Sequence, residues 1–157
     1  MAKKVEKEEP KKEPTPKLTE GEITDFFKSF LSDTPFESDD VLLGGALTIR
    51  FRALTSNQSL NVYNLLKEEQ TAGVLTNDIN YMTRVTVYRL VQSLVSINDV
   101  PFLPDTNVSD KAKTVLEWPN FKLSAFCDAF KNFEDKLLEL TKEVTNENFW
   151  KAAAQSS

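Results

Sequence analysis

The spacing of apolar positions changes along this chain, and each change marks an element. Between Asn77 and Asn98, NDINYMTRVTVYRLVQSLVSIN places Met82, Val85, Val87, Tyr88, Leu90, Val91, Leu94, Val95 and Ile97 over most of a helical circumference. Thr86, Arg89, Gln92, Ser93 and Ser96 share the remaining arc. No Gly or Pro interrupts the run, and Asp78 near its start suits the positive end of a helix dipole. The spacing predicts one long central helix, Asn77 to Asn98, that needs neighbours on several sides. Of its residues, only Tyr81, Arg84 and Arg89 stand out as candidate partner contacts.

Near Val41 the period drops to two. Leu47, Ile49 and Phe51 alternate with Thr48, Arg50 and Arg52, which predicts a strand, and Gly44-Gly45 between VLL and ALTIRFR would allow a hairpin over about 41–53. Arg50 and Arg52 share one face. They have two uses, receiving a partner's carboxylates or pairing with acids of the same domain.

Helical spacing brackets this hairpin. Thr19 and Glu22 have capping-box spacing ahead of Ile23, Phe26, Phe27, Phe30 and Leu31, a short helix that should end before Pro35. Thr55 and Gln58 repeat that spacing ahead of Leu60, Tyr63, Leu65 and Leu66, with Gly73 as the break and Thr76 or Asn77 as the next cap. Downstream of the central helix, SINDVPFLPD reads as an ordered, partly buried loop. A short helix is expected from about Ser109 to Glu117, and Pro119 suits the first turn of the next helix.

That last helix has the most regular spacing: Leu123, Phe126, Phe130, Phe133, Leu137, Leu140 and Val144 alternate by three and four. The seam serves either to pack within the domain or to dimerise as a coiled coil, with Phe130 and Phe133 as candidate interface residues. Beyond it, Phe149 and Trp150 either fold back on the core or anchor a partner.

Composition narrows the function. The 157 residues include 40% hydrophobic and 27% charged, the make-up of one globular domain. Residues 1–17 mix Lys and Glu with three prolines and are expected to form a charged, disordered arm. Residues 18–145 form the domain and 146–157 a short C-terminal segment. The arm holds six Lys and four Glu, so the formal charge of −5 becomes −7 for the rest. That balance argues against nonspecific binding to nucleic acid or anionic lipid. No apolar run approaches the ~20 residues of a membrane span, and no signal peptide is evident, so a cytoplasmic location is expected.

Candidate chemistry is sparse. The sequence has no histidine and one cysteine, Cys127, read as a small buried residue rather than a nucleophile. Asp39-Asp40 alone is a poor cation site, and no GxxxxGK[ST], GxGxxG or GxSxG occurs. The expectation is a non-catalytic protein without metal or cofactor.

LTIRFRALTSNQSLNVYNLL, residues 47–66, runs from an arginine-bearing strand through a Thr-x-x-Gln cap into an amphipathic helix, and VQSLVSINDVP, residues 91–101, follows a long helix. Together these resemble the small tail assembly chaperones of tailed bacteriophages. In those, a strand of the form x-V-x-[FL]-R-x-L leads into a helix, and a later long helix ends near a Ser-Ile-Asn/Asp-Gly-x-Pro loop. Asp99 and Val100 stand where a glycine is commoner, and the likeness covers about residues 41–104. The resemblance implies a protein that binds the tape-measure protein, in assembly with the tail tube protein, and keeps it soluble, with homo-oligomers open. A structural virion component or a baseplate hub assembly protein is the alternative. The expected fold is mainly α (α+β), a helical domain around one long central helix with a small β-hairpin.

Overall fold

Two capping boxes open two helices. Thr19 Oγ1 accepts from the Glu22 N–H at 3.1 Å while the Glu22 carboxylate accepts from the Thr19 N–H, and α1 runs Glu20–Ser32. It stops where Asp33 turns left-handed (φ 56°), ahead of Pro35. Thr55 and Gln58 make the same reciprocal pair at the start of α2, Ser56–Thr71, and Gly73 at φ 71° lies just beyond its end. The computed structural model describes residues 18–73 and 79–146. The expected arm, the caps at Thr76 and Asn77, and the pair Phe149 and Trp150 lie outside the described residues.

The hairpin forms as the two-residue period requires. β1, Glu37–Leu42, and β2, Leu47–Arg52, pair antiparallel across a 3-10 turn at Leu43–Gly45. Gly44 and Gly45 take φ of 64° and 98°, conformations that glycine reaches without the Cβ clash other residues pay. β1 begins at Glu37, four residues before the start read from Val41, because Glu37 to Asp40 are exposed in alternation and carry little apolar signal.

The central helix is shorter than its periodicity predicted. α3 spans Ile79–Ser93, and the next residues form β3, Leu94–Ile97, which pairs with β2. Leu94 and Ser96 are buried while Val95 and Ile97 are half-buried, a two-residue alternation that also fits a helical arc over so short an apolar run. Pairing with β2 decides the outcome. Ser93, fully buried at the junction, donates Oγ–H to the Arg52 carbonyl at 2.7 Å.

The predicted loop is a second hairpin. Asn98 and Asp99, at φ 49° and 63°, form a two-residue turn into β4, Val100–Pro101, completing a sheet ordered β1-β2-β3-β4. Two consecutive positive φ angles are the signature of a type I′ hairpin turn, in which Asn and Asp are tolerated and glycine is favoured. The Asn98 side chain extends the ladder, accepting from Thr48 N–H at 2.8 Å and donating to the Ala46 carbonyl at 3.2 Å.

α4, Val108–Leu116, is capped by Asn107, whose side chain accepts from Asp110 N–H at 2.8 Å. α5, Asn120–Thr145, starts one residue after Pro119, so the proline flanks the helix rather than sitting in its first turn. The core lies where α3, the sheet and α5 meet. Phe51 of β2 stacks on Phe133 at 5.5 Å between centroids and leans on Phe130 at 5.7 Å. Val87, Leu90 and Val91 of α3 close the same cluster, and Trp118 bridges Phe102 and Phe126 in a second aromatic group under Lys122. The fold is mainly α with a small antiparallel sheet, as expected.

Candidate functional site

Register puts an acid opposite each hairpin arginine. Asp39 pairs with Arg50 and Glu37 with Arg52 across β1 and β2. Arg50 is held bidentately by Asp39, at 2.8 Å from Nε and 3.2 Å from Nη2, and Asp99 lies 3.9 Å away. Arg52 Nε donates to Glu37 at 2.8 Å. The hydrogen bond with Asp39 raises the Arg50 pKa further above its ordinary value, so the group stays charged. Of the two uses open to these arginines, the structure displays pairing within the domain.

The helix arginines are engaged as well. Arg84 reaches Glu69 of α2 at 3.7 Å, and Arg89 reaches Glu134 of α5 at 2.8 Å. Tyr88 donates to the same Glu69 carboxylate. Burial first, and Glu69 second, push the Tyr88 phenol up to about 12.

Phe130 and Phe133 require a correction. They were candidates for a partner or oligomer interface, but are 2% and 5% exposed and packed on Phe51. Seam residues Phe126, Leu140 and Val144 are buried with them, while Leu123 and Leu137 are half-buried. The seam is spent inside the fold.

A surface cleft of mixed lining lies elsewhere, with Ser29, Asp33, Thr34, Thr55 and Ser56 among its polar residues. Between α1, the β2–α2 link and α5 lies a groove of about 720 Å³, with Phe26, Phe30, Pro35 and Leu54 among its walls. It shares Ala53, Leu54 and Thr141 with a neighbouring hollow of about 300 Å³, floored by Phe130 and Phe133 and bordered by Leu137 and Leu138. The two adjoin at these shared residues. Phe30 and Leu138 stand on their rims at 57% and 55% exposure. The Arg89–Glu134 pair forms a polar edge.

Sequence reading passed over Phe30, Leu54 and Leu138 as site residues, although signals existed. Ile23, Phe26, Phe27, Phe30 and Leu31 crowd a 13-residue helix with more apolar surface than one contact can cover. In the Leu137-Leu138 pair, the seam takes only the first.

Nothing in these hollows is arranged for covalent chemistry. Of their charged groups, Arg89 and Glu134 are tied to each other, and Asp33 is the C-cap of α1. Cys127 is half-buried elsewhere, its thiol pushed up by burial and then by Asp128, the opposite of an activated nucleophile. Among the described residues, no three acidic or sulfur side chains converge as a metal would require, and no helix is long and apolar enough to cross a membrane. Comparison with protein-family models, with curated proteins and with solved structures gives no match for this chain.

Proposed function

We propose that this chain is a non-catalytic binding protein that shields apolar helical segments of a larger partner, in the manner of a phage tail assembly chaperone acting on a tape-measure protein. The observation that carries the proposal is the pair of adjoining hollows beside α1 and α5, which share Ala53 and Leu54 and are bordered by exposed Phe30 and Leu138. An amphipathic helix is recognised by a groove that accepts apolar residues at helical spacing and meets polar residues at its edge. The resemblance over residues 41–104 supports the same reading: its strand, Thr-x-x-Gln cap and helix correspond to β2, Thr55 and α2, and its Ser-Ile-Asn loop to the β3–β4 turn. Of the two positions where the family has glycine more often, Asp99 takes a positive φ of 63° and Val100 does not.

The test is co-expression with a tape-measure protein of a tailed bacteriophage, followed by affinity capture. The chain should bring that protein down soluble, and the Phe30→Ala, Leu138→Ala double variant should weaken capture at least tenfold without unfolding. Unchanged capture would remove the hollows from the proposal. Recovery of the chain in purified virions would favour a structural component over a chaperone.

A further inference from the structure

β1 is an outer strand of the sheet, paired with β2 alone. The register fixes which of its backbone groups that pairing uses. Ala53 donates its N–H to the Phe36 carbonyl at 2.8 Å, which makes Phe36 and Ala53 a hydrogen-bonded pair. In an antiparallel ladder such pairs alternate with pairs whose N–H and C=O groups point away from each other. Ser38, Asp40 and Leu42 therefore turn their backbone groups to β2, while those of Glu37, Asp39 and Val41 point out of the sheet. The residues opposite agree, since the carbonyls of Thr48 and Arg52 accept from Asn98 N–H and Ser93 Oγ on the far side of β2. Among the described residues, no group is hydrogen-bonded to the backbone of Glu37, Asp39 or Val41. All three are exposed, Val41 at 58%, and none belongs to the core cluster.

Charge selects what can add to this edge. A twofold antiparallel pairing of two copies through these outward residues sets Asp39 directly against its own counterpart, and like charges so placed are destabilising. A basic strand meets the opposite case. Asp39 gives Arg50 one bond to each carboxylate oxygen, while Glu37 holds Arg52 through Oε1 and its Oε2 has no donor among the described residues. An ionised carboxylate offers about four acceptor sites, so each acid has room for a second cation. Val41 offers an apolar contact at the end of the same row.

We propose that β1 is a docking edge for an extended, basic segment of a protein partner, which adds to the sheet as an antiparallel strand. An apolar residue lies opposite Val41, and Lys or Arg lies opposite Asp39 and Glu37. Along the incoming chain that order reads apolar-x-basic-x-basic. Main-chain hydrogen bonds supply the affinity and the alternate side chains supply the choice. That a protein provides the segment rests on the binding-protein reading above, whereas the edge itself shares no residue with the two hollows.

The experiment is an NMR titration of the full chain with the peptide acetyl-Ser-Val-Thr-Lys-Thr-Arg-Thr-amide. Saturable shifts are expected along β1, with hydrogen exchange slowed about tenfold at the Glu37, Asp39 and Val41 amides, the groups that gain an acceptor. N-methylation of the peptide's Val, Lys and Arg, whose N–H groups face β1, should abolish binding, whereas N-methylation of the two threonines between them should leave it. Glu in place of the peptide's Lys and Arg should weaken binding about tenfold, because two cross-strand pairs turn from attraction to repulsion. Val41→Pro removes one outward N–H, leaves the ladder to β2 and both acids in place, and should abolish binding. The methylated peptides test the same contact on the unaltered chain. Absence of saturable shifts, binding that survives methylation of Val, Lys and Arg, or equal binding of the Glu peptide would each overturn the proposal. Self-association of the chain that Val41→Pro abolishes would overturn it in favour of a second copy. Because no tape-measure protein is present, this result stands or falls separately from the capture experiment.

Discussion

α1 and α5 carry the same kind of apolar spacing and use it differently. α5 buries Phe126, Phe130, Phe133 and Leu140 in the core cluster with residues of the sheet and α3, so its regularity records a core. α1 has no fully buried residue. It is held by the Phe26–Phe36 edge contact at 5.5 Å and the Glu22–Lys136 ion pair, with Phe30 and Leu31 left facing solvent. Periodicity thus reports which side of a helix is apolar, and says nothing of whether the protein's own chain covers it. The contrast separates scaffold from the candidate binding surface.

The sharpest way to break this contrast is to truncate one phenylalanine on each helix. Phe130→Ala should cost about 3–5 kcal/mol in urea unfolding, the range for a buried phenyl whose cavity cannot collapse. Phe30→Ala should cost under about 0.5 kcal/mol, as for a surface residue away from special contacts. Equal losses would mean that α1 belongs to the core and that its exposed face is not free.

A smaller effect concerns how α1 is started. Thr19→Ala removes one half of a capping box and should cost about 1 kcal/mol, seen as faster amide exchange confined to the first turns of α1. Exchange spreading into α5 would show that the two helices open as one unit.

The smallest effect lies outside both helices and serves as their control. Tyr88 should titrate by ultraviolet absorbance near pH 12 instead of 10. Since the folded state holds that proton more tightly than the unfolded state, its contribution to stability is complete below pH 10 and is lost as pH rises toward 12. Glu69→Gln should bring the titration to lower pH, leaving the shift due to burial. A Tyr88 that titrates near 10 would place its ring outside the α2–α3 interface.

Elements whose causes are local were legible in the residues. Thr19–Glu22 and Thr55–Gln58 act within one helical turn, and the 47–52 alternation with Gly44-Gly45 encodes a hairpin almost by itself. The α5 seam was read correctly as a seam, with packing and dimerisation both open, and Phe51 settles its use. What escaped depends on distant partners. Leu94 to Ile97 suits helix or strand equally until β2 offers its open edge, and the type I′ signal of Asn98-Asp99 is legible only once those residues belong to a strand. The hollows are harder still, since Phe30 and Leu138 lie far apart in sequence and border adjoining hollows only in the folded chain, with Leu54 common to both.

The direct passage from α3 into β3 has a consequence for altering the chain. Ser93 is the last helical residue and Leu94 the first of the strand, with no loop between them. One residue added there must either overwind the helix or slide the strand, and a slide of one position reverses every side chain of Leu94–Ile97 between core and surface. At Gly44 and Gly45, by contrast, nothing lies within 4 Å of where a Cβ would stand. A peptide tag or fluorophore loop belongs at that tip, where the hairpin can carry foreign sequence, while the Ser93–Leu94 joint accepts none.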